Sequence, residues 1–366
     1  ISQRCAAHIA SAQDIAESVS VGKAAVAAAV DGISREMMTI VREEKDGEYA
    51  FDFAKGGIDI DLSRSFYPMK PVANNENHII SDGHYGEYSN ELTYLSNILS
   101  YFLGMNAGSI WDWANTRHTY GEYAFTRANT YHATVQAALD LRRFPEEIAA
   151  FRRAPNPPFR ILHSLPSFAE RDPYVRSLYG LYGASSFTGW AVRFISERNL
   201  EKRDYKDAKV IVVPDARRVS AETFAALDAF AAKGGIVLVD GEAALTKDQW
   251  GKVVSGRAAA LKRFRRIGDV SSRTRFNALN EALAEKGVEP PLAITGPDGK
   301  APFGVIWRTA ETAAGEKVAF VANLNKHTVE VKIPKRGMFS KWRDLLNGRP
   351  ANGKVEIKSM EILLLK

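Results

Sequence analysis

Glu76 stands in the run Lys70-Pro71-Val72-Ala73-Asn74-Asn75-Glu76-Asn77-His78, a single carboxylate among three asparagines. Asparagine amides can hydrogen-bond a sugar hydroxyl or hold a neighbouring carboxylate in orientation. Further on, Ala107-Gly108-Ser109-Ile110-Trp111-Asp112-Trp113 brings two flat aromatic faces within three residues. Carboxylate plus aromatic face is the composition of a sugar site. Glycoside hydrolysis normally uses two carboxyl groups, about 5–5.5 Å apart in retaining enzymes and about 6.5–9.5 Å apart in inverting ones. Only one of the pair is evident here. Spacing alone leaves Glu76 open as a solvated loop residue, and Trp111 and Trp113 open as ordinary core, since aromatic side chains are mostly packing groups. Asp82, Glu87, Glu91 and Glu122 are further carboxylates near these segments and read as helix caps or surface charges rather than as the missing acid.

The elements that must position these residues follow from periodicity. After Gly56-Gly57, Ile58, Ile60 and Leu62 alternate with Asp59, Asp61 and Ser63, a two-residue period. Lys70 to Ala73 then reads as a strand ending in the polar tip that carries Glu76. Residues 88–104 have helical spacing through Leu92, Leu95, Ile98, Leu99 and Phe102, and lead into a second strand with a polar, aromatic tip at Gly108–Trp113. Strand, helix, strand at this spacing is the repeat of an α/β protein, with functional groups expected at the carboxyl ends of strands. A long helix is predicted around 126–153, closed by the linker Ala154-Pro155-Asn156-Pro157-Pro158, which reads as a domain boundary. Beyond it, Phe159–Leu165 reads as a buried strand, Tyr174–Glu197 as an amphipathic helix, Val210–Pro214 as a strand, Ala221–Ala232 as a helix and Ile236–Asp240 as a strand, together a small parallel αβ unit. After Pro290-Pro291 the pattern turns to alternation: Phe303–Arg308, Lys317–Asn323, Thr328–Ile333, Lys354–Lys358 and Glu361–Leu365 predict an antiparallel β-sandwich.

Composition narrows the classes. The chain has 366 residues, 45% hydrophobic and 25% charged, as in an ordinary globular protein of two or three domains. No apolar run approaches the roughly 20 residues of a membrane-spanning helix. The net charge of +6 is a small excess of 49 basic over 43 acidic residues, so neither a nucleic-acid nor a membrane partner is expected. Lys252, Arg257, Lys262, Arg263, Arg265, Arg266, Arg273 and Arg275 against Asp269 form a basic run that could hold phosphate or an acidic polysaccharide, or could be a solvated helix face. The single cysteine, Cys5, allows no internal disulfide. Seven histidines, His8, His78 and His118 among them, show no metal-ligand spacing, and no cofactor is called for. The chain begins at Ile1 inside what reads as a structured segment, so a truncated N-terminus is expected and the compartment stays open between cytoplasmic and secreted.

From about residue 58 to the C-terminus, some 300 of the 366 residues, the chain resembles the C-terminal part of a β-galactosidase-like glycoside hydrolase. The resemblance implies an α/β fold: a partial (β/α)8 barrel end over residues 56–154, a flavodoxin-like αβ trimerisation domain over 159–290 and a C-terminal β-sandwich over 300–366. The Lys70–His78 segment resembles the motif on the seventh barrel strand, which makes Glu76 the implied nucleophile and places Asn75 beside the substrate. The Ala107–Trp113 segment resembles the eighth strand, whose aromatic tip, here Trp111 and Trp113, borders the sugar. The implied reaction is a retaining double displacement on a β-linked sugar or oligosaccharide, and the implied assembly is a homotrimer. The acid/base Glu of that family belongs ahead of everything matched here, and no Asn-Glu pair precedes residue 58 to fill its place. The chain alone is therefore expected to be inactive or poorly folded, with barrel edges exposed.

Residues 1–55 resemble something else. Gln3-Arg4-Cys5-Ala6-Ala7-His8-Ile9-Ala10-Ser11, the helix from Asp14 to Gly22-Lys23, and Met37-Met38-Thr39-Ile40-Val41-Arg42 are similar to the C-terminal part of a pyrophosphate-dependent phosphofructokinase. The resemblance implies that Arg4 contacts a sugar phosphate, which a guanidinium pairs bidentately; the alternative is a surface charge. That family's phosphate-binding loop and catalytic aspartates are not found. Two enzyme tails meeting between residues 45 and 60 suggest a chimeric reading frame. The αβ unit has no Gly-x-Ser-x-Gly elbow and no cysteine, so its expected role is structural. Three classes of function thus compete: the glycosidase, a non-catalytic oligomerisation or carbohydrate-binding protein, and a sugar-phosphate kinase.

Overall fold

The computed structural model describes residues 54–78, 89–111, 128–170, 173–205, 207–268, 271–335 and 341–366. It begins with helix α1 (Ala54–Phe66), strand β1 (Ala73–His78), helix α2 (Asn90–Phe102), strand β2 (Ala107–Trp111), helix α3 (Ala128–Arg143) and the short helix α4 (Pro145–Ala150). β1 and β2 are parallel and form a two-stranded sheet. α2 buries Leu95, Ile98, Leu99 and Phe102 on the face that the sequence spacing marks, and Ser89 caps it by accepting from the Leu92 amide at 3.2 Å.

The next unit is a five-stranded parallel sheet in the order β4-β3-β5-β6-β7. Its strands are β3 (Phe159–His163), β4 (Phe194–Ser196), β5 (Val210–Val213), β6 (Ile236–Asp240) and β7 (Arg265–Ile267). Within the unit this is the order 2-1-3-4-5 of a doubly wound sheet. Its helices are α5 (Leu165–Glu170), α6 (Tyr174–Ser186), α7 (Glu197–Glu201), α8 (Ala221–Ala232), α9 (Ala258–Leu261) and α10 (Ser272–Glu285). The central strands Val-Ile-Val-Val and Ile-Val-Leu-Val-Asp are buried at every position, as strands covered on both faces require. The C-terminal part is antiparallel: β8 (Val305–Glu311), β9 (Lys317–Asn323) and β12 (Ile362–Leu365) in the order β12-β9-β8, and a β10 (Val329–Ile333) with β11 (Gly353–Ile357) pair. Alternate residues of β8, β9 and β12 divide between two cores. Ile306, Phe320 and Leu364 join the large core shared with α2 and the parallel sheet, while Trp307, Val321 and Leu365 pack with Val331 and Ile357.

Four sequence expectations change. The two-residue alternation at Ile58–Ser63 lies in helix α1, in which Asp61 is wholly buried along with Ile58 and Ile60. The predicted helix over 126–153 is broken at Phe144 by Pro145, which starts a new helix where its missing N–H costs nothing. The helix read through Tyr174–Glu197 stops at Ser186, and Gly189, at φ +78° and packed so close to the Trp307 indole that a Cβ would sit 2.5 Å from it, turns the chain into β4. Finally, the polar segment Ala73–His78 is itself the strand rather than a loop beyond it.

Asp61 ties the three parts together. Its carboxylate accepts from Arg308 Nη1 (3.1 Å) and Nη2 (2.5 Å) of β8, from Arg193 Nη1 (3.2 Å) beside β4, and from the Tyr182 hydroxyl (2.9 Å) of α6. Burial pulls Arg193 down to about 10 against the attraction of Asp61. Burial also works to lower Arg308, but the charge and hydrogen bonds of Asp61 outweigh it and hold that guanidinium above its ordinary value. Removing one member of a buried ion network strands the others, typically at about 3–5 kcal/mol. Asp61→Ala is therefore expected to lower unfolding stability by about that amount in urea titration, and a loss under about 1 kcal/mol would show that backbone carbonyls suffice to hold the two arginines.

Candidate active site

The β1–β2 pair is built from the backbone outward. Asn106 closes its lower end: the Val72 amide donates to Asn106 Oδ1 at 3.0 Å, and the Val72 carbonyl accepts from the Asn106 and Ala107 amides at 2.8 and 3.4 Å. Above this clamp the register runs Ala73 with Ala107, Asn74 with Gly108, Asn77 with Ile110 and His78 with Trp111. The step from Asn74 to Asn77 faces the shorter step from Gly108 to Ile110, so β1 carries one extra residue at Asn75–Glu76. Such a bulge breaks the ladder locally and re-aims the side chains it holds, and bulges recur beside active sites.

The strand pairing therefore brings Asn75, Glu76 and Trp111 to the carboxyl end of one small sheet, with His78 and Trp111 register partners at the tip. Trp113 and Arg4, with Asp82, Glu87, Glu122, His8 and His118, lie outside the described residues. Glu91 is exposed in the first turn of α2, the helix that follows β1. Nothing in the sequence pattern pointed to Asn106; an asparagine just before a strand after Gly104, whose φ is +112°, is its only signal. α2, which joins the two strands, is held from behind: Phe102 stacks on Phe320 at 5.3 Å and meets Phe151 edge-on at 5.5 Å. The C-terminal sheet thus buttresses the candidate site.

The carboxyl ends of the five-stranded sheet hold a second set of acids, which the sequence reading missed. Asp240, at the end of β6, accepts from Arg275 Nε (3.2 Å) and Nη2 (2.9 Å) and from the Ser177 hydroxyl. Ser177 Oγ in turn accepts from the Asp215 amide at 3.0 Å, and Asp215 pairs with Arg217 at 3.3 Å. Glu197 follows β4, with its Oε1 3.0 Å from Ser164 Oγ, which is also 3.1 Å from the Arg218 carbonyl oxygen. The Ser164 hydroxyl donates to one of these two acceptors at a time. Burial raises Glu197 to about 7, with Glu201 adding repulsion against the opposing bonds from Ser164 and Leu165. These acids are engaged with serine, arginine and backbone groups at the strand ends.

The basic run of residues 252–275 divides: Lys252, Lys262, Arg263, Arg265, Arg266 and Arg273 are exposed, as on a solvated face, while Arg257 and Arg275 turn inward. Arg257 is buried, donates to the carbonyls of Leu245, Lys247, Val219 and Ser220, and lies over the Phe224 ring at 4.6 Å. Arg263 pairs with Asp228, Arg265 with Glu285, and Arg275 with Asp240.

No protein-family model and no curated protein sequence matches the chain. Solved structures do. The apo exo-carrageenase GH42 of Bacteroides ovatus superposes with a TM-score of 0.69 at 19% identity, over 90% of this chain and 46% of that one. The GH42 β-galactosidase Gan42B of G. stearothermophilus gives 0.64 at 14% identity over 86% of this chain and 56% of its own. The β-galactosidase of Bacillus circulans sp. alkalophilus gives 0.64 at 12% identity over 89% and 59%. The chain has a glycosidase-like fold. It spans about half the length of these structures. They lend no support to the phosphofructokinase resemblance of the N-terminal segment, which lies outside the described residues.

The Glu197 arrangement carries a pH dependence. A carboxyl whose folded value is about 7 against an ordinary 4.5 contributes stability that is full below 4.5 and is lost as pH rises through 7. Wild-type stability is expected to fall across that window more steeply than that of Glu197→Gln, measured by urea midpoints at pH 5 and pH 8. Equal pH slopes in the two proteins would show that Glu197 is charged throughout.

Proposed function

We propose that this chain is part of a retaining glycoside hydrolase acting on β-linked galactosides, with Glu76 as nucleophile. One observation carries the reading: within a fold shared with GH42 glycosidases, the parallel β1–β2 pair puts the bulged Asn75–Glu76 step and Trp111 at the same strand ends. In the proposed first step the Glu76 carboxylate attacks the anomeric carbon and the glycosidic bond breaks, its electrons leaving with the departing oxygen, which an acid carboxyl outside the described residues protonates. In the second step water, deprotonated by that same carboxyl, displaces Glu76 and releases the sugar. Trp111 and Trp113 supply stacking faces and Asn75 a hydrogen bond to the ring hydroxyls. The αβ unit is proposed to assemble the protein as a homotrimer; exposed Leu165, Trp250 (84% exposed) and Val253 in that unit support an association surface.

An activated leaving group removes the need for the acid, so the nucleophile can be tested alone. With 2,4-dinitrophenyl 2-deoxy-2-fluoro-β-galactoside, mass spectrometry is expected to find one fluorogalactosyl adduct on the peptide containing Glu76, absent in Glu76→Gln. An adduct on another carboxyl, or none on folded protein, would remove Glu76 from the role. For the assembly, light scattering is expected to return three times the chain mass of 40.4 kDa, and a monomer would count against it.

A further inference from the structure

Strand β8 ends the three-stranded sheet β12-β9-β8, so one of its edges carries no strand. The ladder fixes which backbone groups that edge presents. The Asn323 amide donates to the Glu361 carbonyl at 2.9 Å, which turns Asn323, Val321 and Ala319 toward β12. Ala322, Phe320 and Val318 are left to bond with their register partners Ile306, Arg308 and Ala310. At either end of β8 the same alternation holds: the Leu324 amide donates to the Gly304 carbonyl and the Thr312 amide to the Glu316 carbonyl, both at 2.9 Å. Thr309 and Glu311 therefore aim their N–H and C=O groups away from β9, and neither backbone finds another partner among the described residues.

A cavity of about 550 Å³ follows this edge. It touches Thr309 and Glu311, on the face of β8 that carries Trp307, and also Ala310 and Thr312, on the opposite face, yet none of residues 313–316 in the turn. Its route between the two faces is the outer edge of β8. Pro155, Pro291 and Pro334 stand in its wall and have no N–H to offer a strand. The wall is held in place, because Trp307 Nε1 donates to the Leu292 carbonyl at 2.8 Å and Trp342 Nε1 to that of Pro334 at 3.1 Å. Arg153, Lys317 and Lys335 line the cavity against Glu311. Glu311 and Lys317 are register partners, so their charges offset each other. Arg153 and Lys335 are exposed and have no ion pair among the described residues. Unpaired strand edges template another strand, with backbone bonds giving affinity and the side-chain surroundings selectivity. A second copy of this edge is a poor match, since it would set its own Arg153 and Lys335 against these. We propose that the β8 edge binds an extended acidic peptide of a partner protein as an added strand, its backbone paired with Thr309 and Glu311 and its carboxylates facing Arg153 and Lys335. This docking requires nothing of Glu76.

The test is fluorescence anisotropy of a labelled peptide of alternating valine and glutamate, titrated with the full chain. Saturable binding that weakens with added salt is expected. Thr309→Pro deletes one outward N–H and no bond to β9, a place where strands tolerate proline, and is expected to weaken binding about fivefold. Arg153→Glu/Lys335→Glu changes exposed side chains only; it is expected to cost at least about tenfold for the glutamate peptide and to favour a valine–lysine peptide instead. Should Thr309→Pro fail to fold by circular dichroism, the backbone pairing is read from the other side: N-methylating every amide of the peptide keeps its charge and is expected to abolish binding. No saturable binding by the wild-type chain would overturn the proposal, as would affinity indifferent to Arg153→Glu/Lys335→Glu. Affinity that falls with the charge reversal but survives N-methylation, with dextran sulfate competing, would reveal a patch for anions in general and overturn strand addition.

Discussion

Asp61 is the charge on which the arrangement of the chain depends. One carboxylate, wholly removed from water, accepts from the β8 arginine, the arginine just before β4 and the α6 tyrosine, which lie 247, 132 and 121 residues away in sequence. Burying ions costs several kcal/mol each unless geometry and hydrogen bonds compensate. Here the compensation exists only when helix α1, the parallel sheet and the antiparallel sheet sit in one relative position. The network is therefore a registration device between parts of the molecule as much as a source of stability. Arg64, also buried, extends it by donating to the Gly104 carbonyl at the turn that leads into β2.

From that turn the constraint reaches the candidate site. Gly104 has φ +112° and lies so close to Arg64 that a Cβ would come within 2.8 Å of its Cδ. Two residues later Asn106 clamps β2 to the start of β1. The strand ends carrying Glu76 and Trp111 are thus positioned by a chain of contacts that starts in a buried ion network and passes through backbone hydrogen bonds. The aromatic cluster of Phe102, Phe151 and Phe320 holds helix α2, which joins the two strands, against the C-terminal sheet. A glycosidase reading needs such rigidity, because displacement at an anomeric carbon demands that the nucleophile be held within a fraction of an ångström.

The parallel sheet shows how charge can mislead when it is read along the chain. Its arginines and carboxylates look, in sequence, like a basic patch and scattered surface acids. In space Arg257 caps four carbonyls, and Arg275 closes on Asp240 against Gly180, where a Cβ would meet the guanidinium at 2.2 Å. Glu197, paired with a serine rather than a cation, is pushed up to about 7 by burial.

Taken alone, the amino-acid order determined the elements whose burial is continuous or simply alternating. The runs at Val210, Ile236 and Lys317, the helix at Ala221 and the spacing of Leu95, Ile98, Leu99 and Phe102 all read true, because their side chains bury apolar surface with the period of the backbone. It also singled out Glu76, Asn75 and Trp111 for their chemical type. What it could not determine was anything resting on a partner distant in sequence. The arginines that pair with Asp61 are more than a hundred residues away, and the two-residue alternation around it lies in a helix. Strand register, the bulge at Asn75–Glu76 and the pairing of His78 with Trp111 likewise exist only once β2 lies beside β1. Local periodicity records which face of an element is apolar; only the packed structure decides which charges meet across those faces and where a strand's side chains are brought together.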